Sequence, residues 1–268
     1  VRSIVRRYSD FFEHPIGMDR EEEKEEDGEK VNTTVEDVLN SQKALWLRPK
    51  DEISAEDLKE FYHHVAHAFD DPLQTIHYAA EGTQEFTALM FLPGKRPFDL
   101  YMPDMKHGLQ LYVKRVFIMD NCEKLLPPWL RFVKGVVDSS DLPLNVSREL
   151  LQENPLLDRI RGALVKKVLA TLTEMKDEAA DDYLTFWREF GAVLKEGLTD
   201  FSADRDKMAE LMLFDSTATD GETKVSLADY VQRMPVKQKD IYYLIGDDRA
   251  RLAGSPYLEK CRAEGFEV

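Results

Sequence analysis

The sequence predicts an α/β (α+β) chain in three successive parts: a large mixed layer, a run of amphipathic helices and a smaller α/β tail. Three observations predict it. Apolar residues first alternate between helical spacing and short strand-like runs, up to about residue 140. From Ser147 the spacing becomes helical, and after Phe214 the two patterns return together. The boundaries that follow are 1–30 for an N-terminal helix and an acidic linker or hairpin, 31–150 for the large layer, 151–214 for a helical coil and 215–268 for the small layer. A length of 268 residues with 43% hydrophobic content can bury a core without covalent staples, and at roughly 150 residues per domain gives about two domains.

The run from Asp19 to Glu29 carries eight acids and two bases. It reads as an acidic docking tail or, more plainly, as a solvated hairpin tip or linker, because Asp27-Gly28 marks a turn between extended segments. Ser54 to Phe69 reads as a helix. Ser54 and Asp57 have capping-box spacing, Leu58, Phe61, Tyr62, Val65 and Phe69 share one face, and Asp71-Pro72 ends it. Strands are expected at Gln74–Ala80, Glu85–Leu92 and Leu109–Met119, broken by Pro93-Gly94 and Pro97. A short helix at Asn121–Leu130 and a β-like Phe132–Val137 lead into a loop reading DSSDLPLN. Leu156, Ile160, Leu164, Val168 and Leu172 then recur every four residues, with Pro155 suited to a first helical turn and a short helix before it. Further helices are expected at Asp181–Lys195 and Asp204–Phe214. In the tail, Ser226 and Asp229 cap a helix, Ile241–Ile245 reads as a strand, Pro256–Ala263 as a helix, and Gly265–Val268 as the start of a strand. A βαβ crossover closes onto a parallel neighbour, and here the chain ends as that neighbour begins, so the small layer is expected to be incomplete.

Composition removes several function classes. A net charge of −15 repels polyphosphate, so no nucleic-acid partner is expected, and no apolar window approaches the ~18 residues of a membrane span. The first ten residues lack the apolar core of a secretory signal and an initiator Met, which suggests an excised fragment. Cys122 and Cys261 have no CxxC spacing, which fits a reducing, cytoplasmic setting and excludes a Cys-rich zinc site. His63 and His67 stand at i,i+4, but His64 occupies the place of the Glu that an HExxH metalloprotease needs, so no metal is expected. Neither GxxxxGK[ST], GxGxxG nor GxSxG occurs, so nothing here binds a nucleotide by itself.

The segment Asp138 to Gln152 is the informative one. Asn145 or Ser147 can cap a following helix, which places Arg148 in its first turn, where a lone cation is mildly unfavourable. Gln152 lies on the same face. An Arg beside helix N–H groups suits a terminal phosphate, whereas a local pairing of Arg148 with Glu149 or Asp141 is the plainer alternative. Trp46, and the loop from Tyr101 to Gly108 with Met102 and Met105, mix apolar and polar groups outside regular periodicity. Such residues suit either adaptable partner binding or the core.

The strings SQKALWLRP, EFYHHVAHAFDDPL, LYVKRVFIMD, LRFVKGVVDSSDLPLNVSRELLQ, LTFWREFGAVLKEG and VSLADYVQRM resemble, in order and almost end to end, the middle segment of the heat-shock protein 90 chaperones. The short acidic stretch is more like the bacterial form, high-temperature protein G. The resemblance implies a large α-β-α layer, a three-helix coil and a smaller α-β-α layer. It implies ATP with Mg bound mainly by a separate N-terminal domain, no cofactor in this segment, and an Arg reaching the γ-phosphate that matches Arg148, with Gln152 nearby. It also implies client and co-chaperone contacts resembling Trp46, Tyr101, Met102 and Met105, and Phe117 at a domain contact. The full-length homodimer would form through a C-terminal domain, leaving this segment monomeric and inactive alone. A scaffold for partners with no catalytic contribution is the alternative.

Overall fold

The computed structural model describes residues 1–26, 29–42, 44–82, 85–102, 104–143 and 154–268. The chain divides into two compact units, Val1–Lys167 and Val168–Val268.

In the first unit a short helix α1 (Arg2–Tyr8) precedes an antiparallel hairpin of β1 (Gly17–Glu26) and β2 (Glu29–Val38), whose register runs from Gly17↔Val38 to Glu26↔Glu29. The acidic run thus lies in paired strands; Asp27 and Gly28 themselves lie outside the described residues. Asn40 closes the base of the hairpin. Its Oδ1 accepts the Ile16 N–H at 2.7 Å, and its Nδ2 donates to the Phe12 and His14 carbonyls at 3.1 and 3.0 Å.

Helix α2 (Ala55–Ala66) begins as expected. The Ser54 hydroxyl accepts the Asp57 N–H at 3.1 Å and the Asp57 carboxylate turns back to the Ser54 N–H, which satisfies two orphan donors. It ends three residues short of the expected Phe69, because His67 turns left-handed at φ 51°. Phe69 therefore leaves the helical face and stands 102% exposed.

Five strands follow: β3 (Pro72–Ala80), β4 (Phe86–Pro93), β5 (Leu109–Val113), β6 (Val116–Cys122) and β7 (Lys134–Ser139), in the order β3-β4-β7-β5-β6. Only β5 and β7 pair in parallel. The strand expected over Leu109–Met119 is two strands, because Lys114 and Arg115, at φ 50° and 64°, turn the chain in a tight hairpin. Two left-handed central residues define that turn, and neither Lys nor Arg advertises it. The helix expected at Asn121–Leu130 is a pair of single 3₁₀ turns, Glu123–Leu125 and Pro128–Leu130. Pro127-Pro128 supplies no N–H for a continuous helix. Gly135 lets β7 lie close on β4, since a Cβ there would stand 2.2 Å from the Leu89 carbonyl oxygen, at φ 142°. Against the sheet, α2 and the turn Leu45–Leu47 bury Phe11, Trp46, Phe61, Tyr62, Val65, Leu89, Phe91 and Tyr112 as one cluster.

Helix α3 (Pro155–Glu178) starts at Pro155 as expected, with the Asn154 side chain accepting the Leu156 N–H at 3.0 Å; the short helix expected before it lies outside the described residues. In the second unit α4 (Ala180–Lys195) buries Tyr183, Phe186, Trp187, Phe190 and Leu194, the stripe the sequence predicts. Then come α5 (Arg205–Leu211), a two-residue pair of β8 (Leu213–Phe214) and β9 (Val225–Ser226), α6 (Leu227–Arg233) with a second capping box from Ser226 and Asp229, α7 (Arg249–Ala253) and α8 (Tyr257–Glu264). Ile241–Ile245 forms no strand: Ile241, Tyr243 and Ile245 are exposed, and the Tyr242 N–H goes to the Tyr230 hydroxyl at 3.0 Å. Nor does Gly265–Val268, whose last residue bonds Thr217 instead.

Candidate functional site

The informative segment starts at the end of β7 and is held there by its own side chains. The β4–β7 ladder stops at Phe86↔Ser139. Beyond it, the Ser140 N–H donates to the Glu85 carbonyl at 3.2 Å, which also accepts the Ser139 and Ser140 hydroxyls at 3.4 and 3.3 Å. The Asp141 Oδ2 accepts the Glu85 N–H at 2.7 Å, and the Asp141 N–H donates to the Ser139 hydroxyl at 3.3 Å. Leu142 is then buried. The string DSSD thus replaces a backbone ladder that ends where the chain turns away. Residues 144–153, and with them Arg148 and Gln152, lie outside the described residues. The chain is described again at Asn154, which caps α3, with Leu157 sealed in the interior.

One residue back from the loop, Asp138 is buried and central. Its carboxylate accepts the Trp46 indole N–H at 3.0 Å and the Arg115 backbone N–H at 3.1 Å. Burial pushes its carboxyl above the usual range, and the bonds from Trp46 and Arg115 only partly offset that. This accounts for Trp46, which the sequence suited either to partner binding or to the core, and which the resemblance matched to client contacts. It is 0% exposed, with its ring packed on Phe11 and Tyr112 at 4.9 Å and its only polar atom satisfied by Asp138. Phe117, half-buried on β6, meets Tyr8 and Tyr112 edge-on at 5.6 and 5.5 Å. An open groove of about 620 Å³ runs beside Asp138, lined among others by Glu13, Lys114, Arg115 and Ser140.

A second surface lies on the loop after β4. Tyr101 and Met102 are 50% and 53% exposed, and Met105 is half-buried. The guanidinium groups of Arg96 and Arg131 stand over the Tyr101 ring at 5.8 and 5.7 Å. Such cations hold an aromatic ring at the surface without covering it. Sequence reasoning missed Phe98, 91% exposed on the same loop; its place one residue after Pro97, outside any apolar repeat, was the available signal.

The histidines do not converge. His63 Nε2 meets the Asp70 carbonyl at 2.9 Å, and His67 is the left-handed residue that ends α2. Among the described residues no three His, Cys, Asp or Glu side chains gather to hold a metal ion. Cys122 is buried, and burial raises its thiol to about 11, so it is no nucleophile at neutral pH.

The family model described as Hsp90 protein matches residues 18–268. The chain belongs to the Hsp90 family. The chaperone protein HtpG of Geobacter sulfurreducens is 56% identical over 277 residues, which cover 100% of this chain and 43% of that protein. HtpG of Bdellovibrio bacteriovorus is 50% identical over 268 residues, covering 100% and 41%. The chain therefore spans less than half the length of these relatives. The solved middle domain of a Plasmodium falciparum heat shock protein matches with a TM-score of 0.71 at 31% identity, over 84% of this chain and 87% of that one. The Hsp90 middle segment, in its bacterial HtpG form, is thus what the resemblance in the sequence pointed to, and the mixed sheet with its helices is that segment's fold. Among the described residues no helix is long and apolar enough to cross a membrane.

Proposed function

We propose that this middle segment serves a cytoplasmic, ATP-dependent chaperone of the stress response by lending Arg148 to the γ-phosphate of ATP. The nucleotide and its magnesium ion are held by the N-terminal domain of the full-length protein. From this chain the site receives a cation rather than metal ligands. The guanidinium forks onto two phosphate oxygens as charge redistributes between bridging and terminal positions, and Gln152, four residues on in the sequence, is the second residue assigned to the site. An Arg supplied by a second domain is worth about 10³–10⁵ in rate in phosphoryl transfer, and it completes the site only when the domains meet, so hydrolysis follows closure. Alone, the segment is inactive and monomeric; the full-length homodimer forms through the C-terminal domain. Tyr101, Met102 and Met105 offer apolar surface to partly folded clients and co-chaperones, and Phe117 serves a domain contact.

The observation that supports the catalytic role is that the described chain on both sides of Arg148 is fixed, by Asp141 on Glu85 and by Asn154 at the start of α3. A short tether between fixed points suits a side chain that must meet a phosphate in another domain. The exposed loop of Phe98, Tyr101 and Met102 favours a second reading, a partner scaffold with no part in hydrolysis. Arg148→Ala in the full-length chaperone separates the two. ATP turnover is expected to fall by about 10³-fold or more with nucleotide binding nearly intact, and Arg148→Lys to recover little for lack of a fork. Wild-type turnover in Arg148→Ala leaves only the scaffold.

A further inference from the structure

We propose that the loop after β4 selects client segments that carry carboxylates beside large apolar side chains, a proposal that rests on the client-binding reading above. Phe98, Tyr101 and Met102 stand 91%, 50% and 53% exposed on this loop. The fold keeps them there. Leu100, between them in sequence, is buried, and its carbonyl accepts the Arg131 Nε–H at 2.9 Å. The Asp70 carboxylate accepts the Gly94 and Lys95 N–H groups at 2.8 and 3.0 Å, which brings the fully exposed Phe69 to the base of the same loop. An apolar surface of this kind attracts apolar segments in general and by itself has no means of choosing among them.

The choice comes from charge. The whole chain holds 36 Lys and Arg against 51 Asp and Glu, yet this loop is set among cations. The guanidinium groups of Arg96 and Arg131 stand over the Tyr101 ring at 5.8 and 5.7 Å, and Lys95 and Lys106, both exposed, flank the apolar residues in sequence. The acids close by are mostly engaged. Asp70 is spent on the two backbone N–H groups and the Tyr62 hydroxyl, and Asp71 pairs with Lys59 at 2.9 Å. Asp99 lies near the half-buried Lys134: burial lowers that ammonium, and the Asp99 charge opposes the shift. Asp104 is the loop's one exposed acid. A carboxylate on a bound segment therefore meets Lys95, Arg96 and Lys106 at the rim while Phe98 and Tyr101 take the apolar side chain next to it; a lysine in its place meets like charge. Because the chain as a whole is acidic, the preference acts at contact and not during approach.

The test is fluorescence anisotropy with the full-length chaperone and three labelled, unfolded peptides that share a Phe-Leu-Phe core and differ only in flanks of Asp, Ser or Lys. Exposed charge pairs are each worth a few-fold at most, so the Asp-flanked peptide should bind roughly tenfold more tightly than the Lys-flanked one, with the Ser-flanked one between them. A variant carrying Lys95→Glu, Arg96→Glu and Lys106→Glu together should invert that order, which a mere loss of structure would not do. Equal affinities for the Asp- and Lys-flanked peptides, or an order that the triple variant leaves unchanged, overturns the proposal. Failure of the client reading itself is seen separately, and the proposal falls with it: the variant with Phe98→Ser and Met102→Ser would then bind all three peptides as the wild type does, or the wild type would bind none.

Discussion

The two units of this chain are held by different chemistry. In Val1–Lys167 a five-stranded sheet and α2 bury a continuous aromatic cluster, and the one carboxylate near its centre, Asp138, is there to satisfy an indole. In Val168–Val268 the apolar packing is concentrated on α3, α4 and α5, and the remainder is tied together by polar clamps. Arg233 grips the Glu267 carboxylate with two bonds of 3.0 and 2.7 Å, Ser216 donates to the same carboxylate at 2.5 Å, and Tyr230 donates to the Glu267 carbonyl at 2.6 Å. Arg249 donates to the Ser216, Thr219 and Asp220 carbonyls. Where strands are two residues long and Ile241, Tyr243 and Ile245 face solvent, fixed hydrogen bonds stand in for buried area. The contrast teaches that stability in the first unit follows side-chain volume, and in the tail of the second follows charge.

The largest expected effect is on the apolar side of that contrast. Trp46→Ala should destabilise the first unit by about 3–5 kcal/mol through the cavity alone. Trp46→Phe, which keeps a ring but leaves Asp138 without its indole donor, should cost about 1–3 kcal/mol. Denaturant unfolding followed by hydrogen exchange in β4 and β7 measures both, and equal costs for the two variants would mean that the hydrogen bond, not the volume, carries the site.

Next is Arg233→Ala. The Arg233 side chain is 43% exposed and that of Glu267 9%, so solvent screens the pair and the cost should be about 1 kcal/mol, read as faster exchange in α6 and at the Val268 amide with β4 and β7 unaffected. An effect spread evenly over both units would erase the distinction.

The smallest effect is in the response to acid. Burial pushes the Glu267 carboxyl up, but the bonds from Arg233 and Ser216 outweigh it and leave it below its ordinary 4.5. A depressed carboxyl contributes stability above its unfolded value and loses it as pH falls through the folded one, so the second unit should weaken below about pH 4.5. Asp138 has the opposite sign. Raised above 3.8, it opposes folding when ionised, and that cost is relieved as pH falls through its folded value toward 3.8. Hydrogen exchange between pH 6 and pH 3 should therefore show the tail of the second unit loosening first; simultaneous loosening would refute the assignment of charge to one unit and volume to the other.

Much of what flanks the Arg148 segment was legible in the residues. The string DSSD stood out as the place where the chain leaves the strand, Pro155 as a helix start, and Asp141 as a charge in that turn. Its actual partner was not legible, because Glu85 is 56 positions away and the contact is to a backbone N–H, which every residue offers alike. The same holds for Trp46, whose partner Asp138 lies 92 positions on. Arg148 and Gln152 rest on the family resemblance.

By itself the sequence determined where several helices start and which face they bury: the capping boxes at Ser54 and Ser226, the start of α3 at Pro155 and the buried stripe of α4 all use contacts a few residues apart. Only the tertiary structure decided that Lys114-Arg115 folds one expected strand into two, that Trp46 is sealed inside, and that Ile241–Ile245 stays outside any sheet. The reason is distance along the chain. A helix is closed by neighbours that the sequence displays, whereas a strand and a buried ring take their meaning from partners tens of residues away.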